Sequence, residues 1–194
     1  NFSRISVRNN HAITETLSIY ISGKIFPFFP DVKSWSKKAK KWFENEINYQ
    51  IYDDGTHLQY STNYHRVVIQ LLTIAIKFSK IYNDPLDKKI YGKAKKSIEF
   101  LIEMMDIKTG CLPNVGANDG SLFFNFSSCD YRDYRPQIND LHTLIYNNTI
   151  FNSTESLYWH GIKQSKKVKL KQSKTKKFPD GGFFILNDND QSKT

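Results

Sequence analysis

The sequence predicts a mainly α chain of stacked helical hairpins that turns to β-structure near its end. Three observations carry this. Four segments before residue 106 repeat apolar residues at helical spacing, polar connections separate the later ones, and an aromatic-rich run at 183–186 is bounded by turn residues.

In chain order, residues 11–22 place Ile13, Leu17 and Ile21 on one stripe, with Gly23 as a stop and Asn10 as the cap. Phe26-Pro27-Phe28-Phe29-Pro30 reads as a rigid apolar connection. Ser34 is positioned to cap a second helix, in which Trp35, Ala39, Trp42, Phe43 and Ile47 share an apolar face. Asp53-Asp54-Gly55 marks a turn. A third helix starts near Thr62, buries Val67, Val68, Leu71, Leu72, Ala75, Phe78 and Ile81, and ends at Asn83-Asp84-Pro85. The fourth spans Asp87 to Met105. Residues 108–132 hold no lasting period and read as one long loop, a length that usually carries function. A fifth helix begins near Pro136, and a short helical piece covers 156–160. Phe178-Pro179-Asp180-Gly181-Gly182 is a turn into the strand Phe183–Leu186, and Asn187-Asp188-Asn189-Asp190 is another turn. One strand has nothing of its own to pair with, so the chain reads as a fragment stopping just inside a β-rich region. No solenoid consensus repeats.

Composition narrows the classes. At 194 residues with 39% hydrophobic content the chain can bury a core and is not a disordered segment. No apolar stretch approaches the roughly 20 residues that a bilayer span needs. The opening Asn1-Phe2-Ser3-Arg4 is no signal segment and fits a processed end or a cut from a longer protein. The net charge of +9 is concentrated: eight of the 28 Lys and Arg lie in residues 163–177, which hold no acid, leaving 20 basic against 19 acidic residues elsewhere. That distribution argues against a nucleic-acid-binding surface. The run reads as an exposed connection, or else as an element touching a polyanion. Cys111 and Cys129 fit two free thiols as well as one disulfide, and no metal-ligand spacing surrounds them.

Two polar pairs stand out: Asn10-His11, and Tyr64-His65 54 residues later. Each sits at a predicted helix start. Helix initiation explains each pair alone, but if the two starts face the same way, four side chains and two positive dipole ends converge on an anion site. Serine-hydrolase motifs, phosphate-binding glycine loops and HExxH are absent, and no carboxylate pair suited to glycoside hydrolysis stands out. Tyrosine with His and Asn suits proton abstraction next to a carboxylate, provided positive charge lowers the phenol from its usual value of about 10.

Asn10-His11, Gln50-Ile51-Tyr52-Asp53-Asp54-Gly55, Tyr60-Ser61-Thr62-Asn63-Tyr64-His65, the stretch 110–120 and Phe178–Gly182 together resemble the heparinase II/III-like polysaccharide lyases, relatives of heparinase III and of alginate and oligoalginate lyases. The resemblance implies an incomplete (α/α) toroid followed by a β-sandwich, with limits at 1–162 for the helical part, 163–177 for a lysine-rich linker and 178–194 for the start of the sandwich. It implies cleavage of a uronate-containing acidic polysaccharide by β-elimination, in a periplasmic or secreted protein, with no cofactor in this stretch and room for a structural metal in the β-sandwich. By resemblance Asn10 neutralises the uronate carboxylate, Tyr64 is the base or also the acid, and His11 and His65 line or orient the site. A further histidine would come from the sandwich beyond Thr194, leaving the site incomplete. Gln59 stands where the family often has Glu, and Ala117 where many relatives have Asp.

Read from residue chemistry, the loop from Asn114 through Asn118 to Asp119 forms one wall of the cleft or else a turn-rich surface loop. Arg132 and Arg135 bind substrate anions or else pair with local aspartates. Trp159 is a better sugar platform than Trp35 or Trp42, which lie on the apolar stripe. The alternative function is a non-catalytic carbohydrate-binding or assembly component of a cell-surface glycan system.

Overall fold

The computed structural model describes residues 3–163 and 166–187, with the backbone alone at Lys33. In chain order the elements are α1 (Ser3–Ser6), α2 (Asn10–Ile25), α3 (Pro30–Gln50), α4 (Thr62–Ile81), α5 (Lys88–Met104), α6 (Arg135–Tyr146), α7 (Glu155–Trp159), β1 (Thr175–Phe178) and β2 (Phe183–Leu186). The chain is mainly helical, with a two-stranded antiparallel sheet near its end.

α2 starts at Asn10, one residue earlier than expected. Asn9, not Asn10, caps α2, its side chain accepting the His11 N–H at 3.0 Å. Nor does α2 stop at Gly23. A Cβ there would stand 2.1 Å from Ser36 Cβ, so glycine lets α3 approach closely, and Ser36 Oγ donates to Tyr20 O at 2.8 Å across the contact. Close packing outweighs the roughly 1 kcal/mol that glycine costs inside a helix. α3 begins at Pro30, whose missing N–H costs nothing in the first turn, while Ser34 Oγ donates to Asp31 O inside the helix instead of capping it. Its buried stripe runs through Ser36, Ala39, Phe43, Ile47 and Gln50. Trp35 stands at the margin of that stripe and is 55% exposed, contrary to expectation, and Trp42 is half-buried beneath the Arg4 guanidinium.

α4 is buried nearly all round, because it packs on α2, α5 and α6. Periodicity predicted one buried side; Ile69 and Ile76 are buried as well, while Ile81 at the frayed end is exposed. The packing forms two rows. α2, α4 and α6 lie side by side in one, with α3 and α5 in the other. Consecutive helices cross between rows, so α2 and α4 run the same way and begin at the same end.

The lysine run is exposed, as expected of a connection, with Lys166, Lys167, Lys169, Lys171, Lys174 and Lys177 in water, but it is also anchored. Lys167 bridges Thr149, Val168 and Leu170 pack against the core, and Gln172 Nε2 donates to the Ile102 and Met105 carbonyls at the end of α5. The run then becomes β1, which pairs with β2 in the register Thr175↔Leu186 to Phe178↔Phe183. β2 therefore has a partner from its own chain, and the premise of an unpaired strand fails. Alternating lysines hid β1, because a two-stranded hairpin leaves most of its side chains in water. The hairpin docks through Phe178 and Phe183, whose rings lie 4.9 and 5.2 Å from that of Phe100 on α5. In the expected turn at 187–190, Asn187 donates to Lys174 O, and 188–190 lie outside the described residues. Cys111 and Cys129 are free thiols.

Candidate active site

The shared end of α2 and α4 is built by side chains that reach across it. Gln59 precedes α4, and its Oε1 accepts the Asn10 N–H at 2.9 Å. Gln50 Nε2 donates to Asn9 O at 2.8 Å. Both contacts consume free polar groups at the start of α2 and fix it against the loop that leads into α4. Ser61 caps α4, its Oγ accepting the Tyr64 N–H at 3.0 Å and donating to Ala117 O at 2.6 Å. The long loop is thereby held on the first turn of α4. Gly116 permits the contact: it has φ +71°, and a Cβ would lie 2.0 Å from Tyr60 O.

A cavity of about 300 Å³ opens between these starts, lined by Asn10, His11, Thr14 and Glu15 of α2, Val67 of α4, and Ser121–Phe123 of the loop. His11 is exposed at its rim. Tyr64 does not line the cavity but is tied to the loop that does: its hydroxyl donates to Asp119 Oδ2 at 2.8 Å, two residues before Ser121. Asp119 Oδ1 accepts the Ser121 N–H at 3.0 Å and the Ser121 hydroxyl at 2.6 Å. Hydrogen bonds from Ser121 and Tyr64 hold the Asp119 carboxyl down to about 2. The same bond, with the negative charge beside it, pushes the Tyr64 phenol up. A tyrosine base needs a cation to lower its phenol, and the group bound here is a carboxylate. The resting hydroxyl is accordingly a proton donor.

The second member of the pair goes elsewhere. His65 is buried, 100° around the helix from Tyr64, with its ring 5.5 Å from His57 and 5.6 Å from Phe100. It does not line the cavity. Both ring nitrogens of His57 and Nε2 of His65 lack a partner. Burial drives His57 down to about 3, and burial with the neighbouring imidazole drives His65 well below its ordinary value. Both are neutral apolar filler at neutral pH.

Asn114, Asn118 and Asp119 are not among the residues lining the cavity: Asn118 Nδ2 donates to Asn114 Oδ1 at 2.8 Å, and the Tyr131 hydroxyl lies 2.7 Å from Asn118 Oδ1. Arg135 is taken by Asp133, Nε and Nη2 donating to its two oxygens at 2.9 and 2.7 Å. Arg132 is exposed and donates to Leu112 O at 2.9 Å, away from the residues lining the cavity. Trp159 is exposed on α7 beside Tyr158, and it too lies outside the cavity lining.

Sequence reading missed two groups. Arg66 is buried between the Tyr131 and Tyr134 rings, 4.2 and 4.3 Å from their centroids, and Nη2 donates to Asn63 Oδ1 at 3.0 Å. Asn63 Nδ2 in turn approaches Asp119 Oδ1 at 3.3 Å. An amide therefore links a buried guanidinium to the carboxylate that holds Tyr64. The signal was present as an arginine directly after Tyr64-His65, together with the tyrosines of 131–134. Glu15, one helical turn after His11, lines the cavity with Oε2 unpartnered, and only its helical spacing could have disclosed it.

Among the described residues no group of three or more His, Cys, Asp or Glu is arranged to hold a metal, and no helix is long and apolar enough to cross a membrane. A 77-residue stretch is 29% identical to a heparin-sulfate lyase of Bacteroides stercoris, taking in 40% of this chain but only 12% of that protein. No solved structure matches the chain. Residues 2–117, which contain both polar pairs and stop just short of Asp119, match the family described as Heparinase II/III N-terminus, and the chain belongs to that heparinase II/III-like family.

Proposed function

We propose that this chain is the helical part of a lyase that cleaves a uronate-containing acidic polysaccharide by β-elimination. One observation carries the reading: the Tyr64 hydroxyl is held by Asp119 at the end where α2 and α4 both begin. The Asn10 amide and the positive ends of the two helices neutralise the uronate carboxylate. Neutralisation makes the C5 proton acidic by stabilising the developing aci-carboxylate. As that proton passes to a base, the C5–H electrons form the C4–C5 double bond, the C4–O bond breaks, and Tyr64 protonates the leaving oxygen. His11, the exposed imidazole on the cavity rim, is the group we assign to receive the C5 proton. No water is consumed.

The two rows of helices support a section of an (α/α) toroid. In this reading the helical domain ends near residue 162, the lysine-rich segment leads across, and a β-sandwich opens with β1. A periplasmic or secreted location follows from the polymeric substrate.

The test is to incubate the full-length protein with heparan-type and uronate-only polysaccharides and follow ultraviolet absorbance of the unsaturated product. Absence of unsaturation with every acidic polysaccharide would reject the lyase reading. The second reading, glycan binding without turnover, is favoured by one observation: Tyr64 is not among the residues that line the cavity with Asn10 and His11. It expects affinity for acidic glycans that is unchanged in Tyr64→Phe.

A further inference from the structure

A larger cavity than the one at Asn10 lies elsewhere. An open groove of about 1070 Å³ runs beside α5, walled by the end of α3, by α6 and by the lysine-rich segment, and it shares no lining residue with the cavity at Asn10. Clefts for small ligands usually measure ~300–1,000 Å³, so this one has room for a stretch of polymer.

Its charge is one-sided where it is free. Lys89, Lys93, Lys95 and Lys96 of α5 line it together with Lys171 of the lysine run. Three carboxylates also line it, and each is engaged. Asp53 pairs with Lys93 at 2.6 Å, and Glu99 pairs with Lys96 and Lys176 at 3.1 and 2.6 Å. Glu103 accepts the Ser173 N–H and hydroxyl, both at 3.0 Å from one or other oxygen. Lys89, Lys95 and Lys171 form no ion pair among the described residues. Lys171 is not there by accident of a loose loop: the next residue, Gln172, is tied to two carbonyls at the end of α5.

The floor is apolar. Ile98, Ile102 and Leu170 contribute to it, and Tyr146 stands at one side, 42% exposed, with Lys95 Nζ 5.3 Å from its ring centroid. Ammonium groups over an aliphatic floor with a single phenol suit a sugar chain, whose C–H faces pack on the apolar surface while its carboxylates or sulfates meet the lysines. A nucleic acid would call for successive aromatic platforms and arginine, and no arginine lines the groove.

We propose that this groove binds a stretch of acidic polysaccharide at a site separate from Tyr64. The proposal rests on the polysaccharide reading above but not on lyase chemistry. The groove holds a polyanion through Lys89, Lys95 and Lys171 and so keeps the chain on the polymer independently of the reacting unit.

The experiment measures binding of a heparin octasaccharide to the full chain by calorimetry across a salt series, with neutral dextran and single-stranded DNA of similar charge as comparisons. The Lys89→Ala/Lys95→Ala/Lys171→Ala variant should bind on the order of tenfold more weakly, with a salt slope smaller by about 2, since each charge contributes ~0.7 to the slope on a single-stranded polyanion. The corresponding triple arginine variant should recover binding, which separates lost charge from lost folding. Lys166→Ala/Lys174→Ala/Lys177→Ala from the same basic run should stay within about twofold of the parent. The octasaccharide should also protect Lys89, Lys95 and Lys171 from amine acetylation. Unchanged affinity in the groove variant, equal loss in the run variant, or no octasaccharide binding overturns the proposal. DNA binding as tightly, with the same loss, reassigns the groove to a phosphate polymer. Binding without unsaturated product keeps the groove and rejects the lyase.

Discussion

Tyr64 and Asp119 come from different parts of the chain, 55 residues apart, yet the phenol donates to the carboxylate at 2.8 Å. The bond joins the first turn of α4 to the far wall of the loop. It raises the phenol and lowers the carboxyl, so in the free protein the proton stays on tyrosine. A donor that must give up its proton in the transition state loses activity at the alkaline end, where it ionises. Asp119→Asn removes the neighbouring charge and lets the phenol fall back toward ~10. The alkaline limb of the rate profile should therefore move to lower pH in that variant, and kcat should drop on the order of tenfold. Tyr64→Phe should lose a hundredfold or more, within the ~10²–10⁴ that positioned proton transfer supplies. Product absorbance against pH reads both; an alkaline limb that stays in place in Asp119→Asn removes Asp119 from the mechanism.

The buried imidazoles His57 and His65 set the acid stability. Their folded values lie below the unfolded value of about 6.5, so the unfolded chain takes up protons first. Stability is fully present above pH ~6.5 and declines as pH falls toward the folded value, about 3 for His57, by roughly 1.4 kcal/mol per pH unit for each histidine. His160, which burial and then Lys77 hold near 4, acts in the same direction. Asp140 opposes them: burial lifts it to about 7, so the folded state keeps a proton the unfolded chain loses, and its contribution grows as pH falls from about 7 toward ~4. Denaturant midpoints should decrease between pH 7 and 5. His57→Leu, which removes two unpartnered nitrogens, should flatten that slope by one histidine's share without lowering stability at pH 5. An unchanged slope would mean that His57 is solvated in the folded state.

Most of the helices were legible because each buries one stripe, and apolar spacing reports a stripe; α4, buried nearly all round, was legible through one of its sides. Trp35 and Ile81 misled because apolar character does not say where a stripe ends. Gly23 misled for a different reason: a glycine that ends a helix and one that admits a neighbour look alike until Ser36 is opposite it. Asn10 and Tyr64 could be singled out as neighbours of helix starts. The bond between Asp119 and Tyr64 was not legible, because it depends on how a loop without a period folds back. That His65 does not line the cavity was not legible, because adjacency in sequence places consecutive helical residues on different faces. β1 was lost inside the lysine run, where alternation of lysine with a few apolar residues gives too weak a pattern.

The hairpin is held on the helices by Asp54 and Asp180, which exchange hydrogen bonds. Asp54 N–H donates to Asp180 Oδ2 at 3.1 Å, and Asp54 Oδ2 accepts the Asp180 and Gly181 N–H groups at 2.8 and 3.1 Å. Partial burial raises the Asp54 carboxyl, but the Thr56, Gly181 and Asp180 donors together bring it below its ordinary value. Asp54→Ala should cost about 1–3 kcal/mol through the donors left without acceptors. Hydrogen exchange should quicken in 175–186 before it does in α4. Equal quickening in both would show the hairpin to be inseparable from the helical core.

Gly23→Ala separates the two meanings of a glycine near a helix end. As a stop signal, Gly23 would tolerate alanine at little cost. As a contact it cannot, because the added methyl would sit 2.1 Å from Ser36 Cβ and 2.9 Å from Val32 O, and neither belongs to a flexible side-chain end. α2 and α3 must then move apart along a seam that also buries Tyr20 and Ala39. Overpacking of this kind costs about 1–3 kcal/mol, against which alanine returns up to ~1 kcal/mol of helix propensity. The expected result is a net loss of stability in chemical denaturation, largely recovered in Gly23→Ala/Ser36→Gly, where the opposing Cβ is also gone. Ser36→Gly alone should destabilise, since it removes the hydroxyl that donates to Tyr20 O. The double variant should therefore be more stable than the sum of the two single losses, because the clash exists only when both carbons are present. Simple additivity would place Gly23 outside the contact and return it to the role of a helix stop.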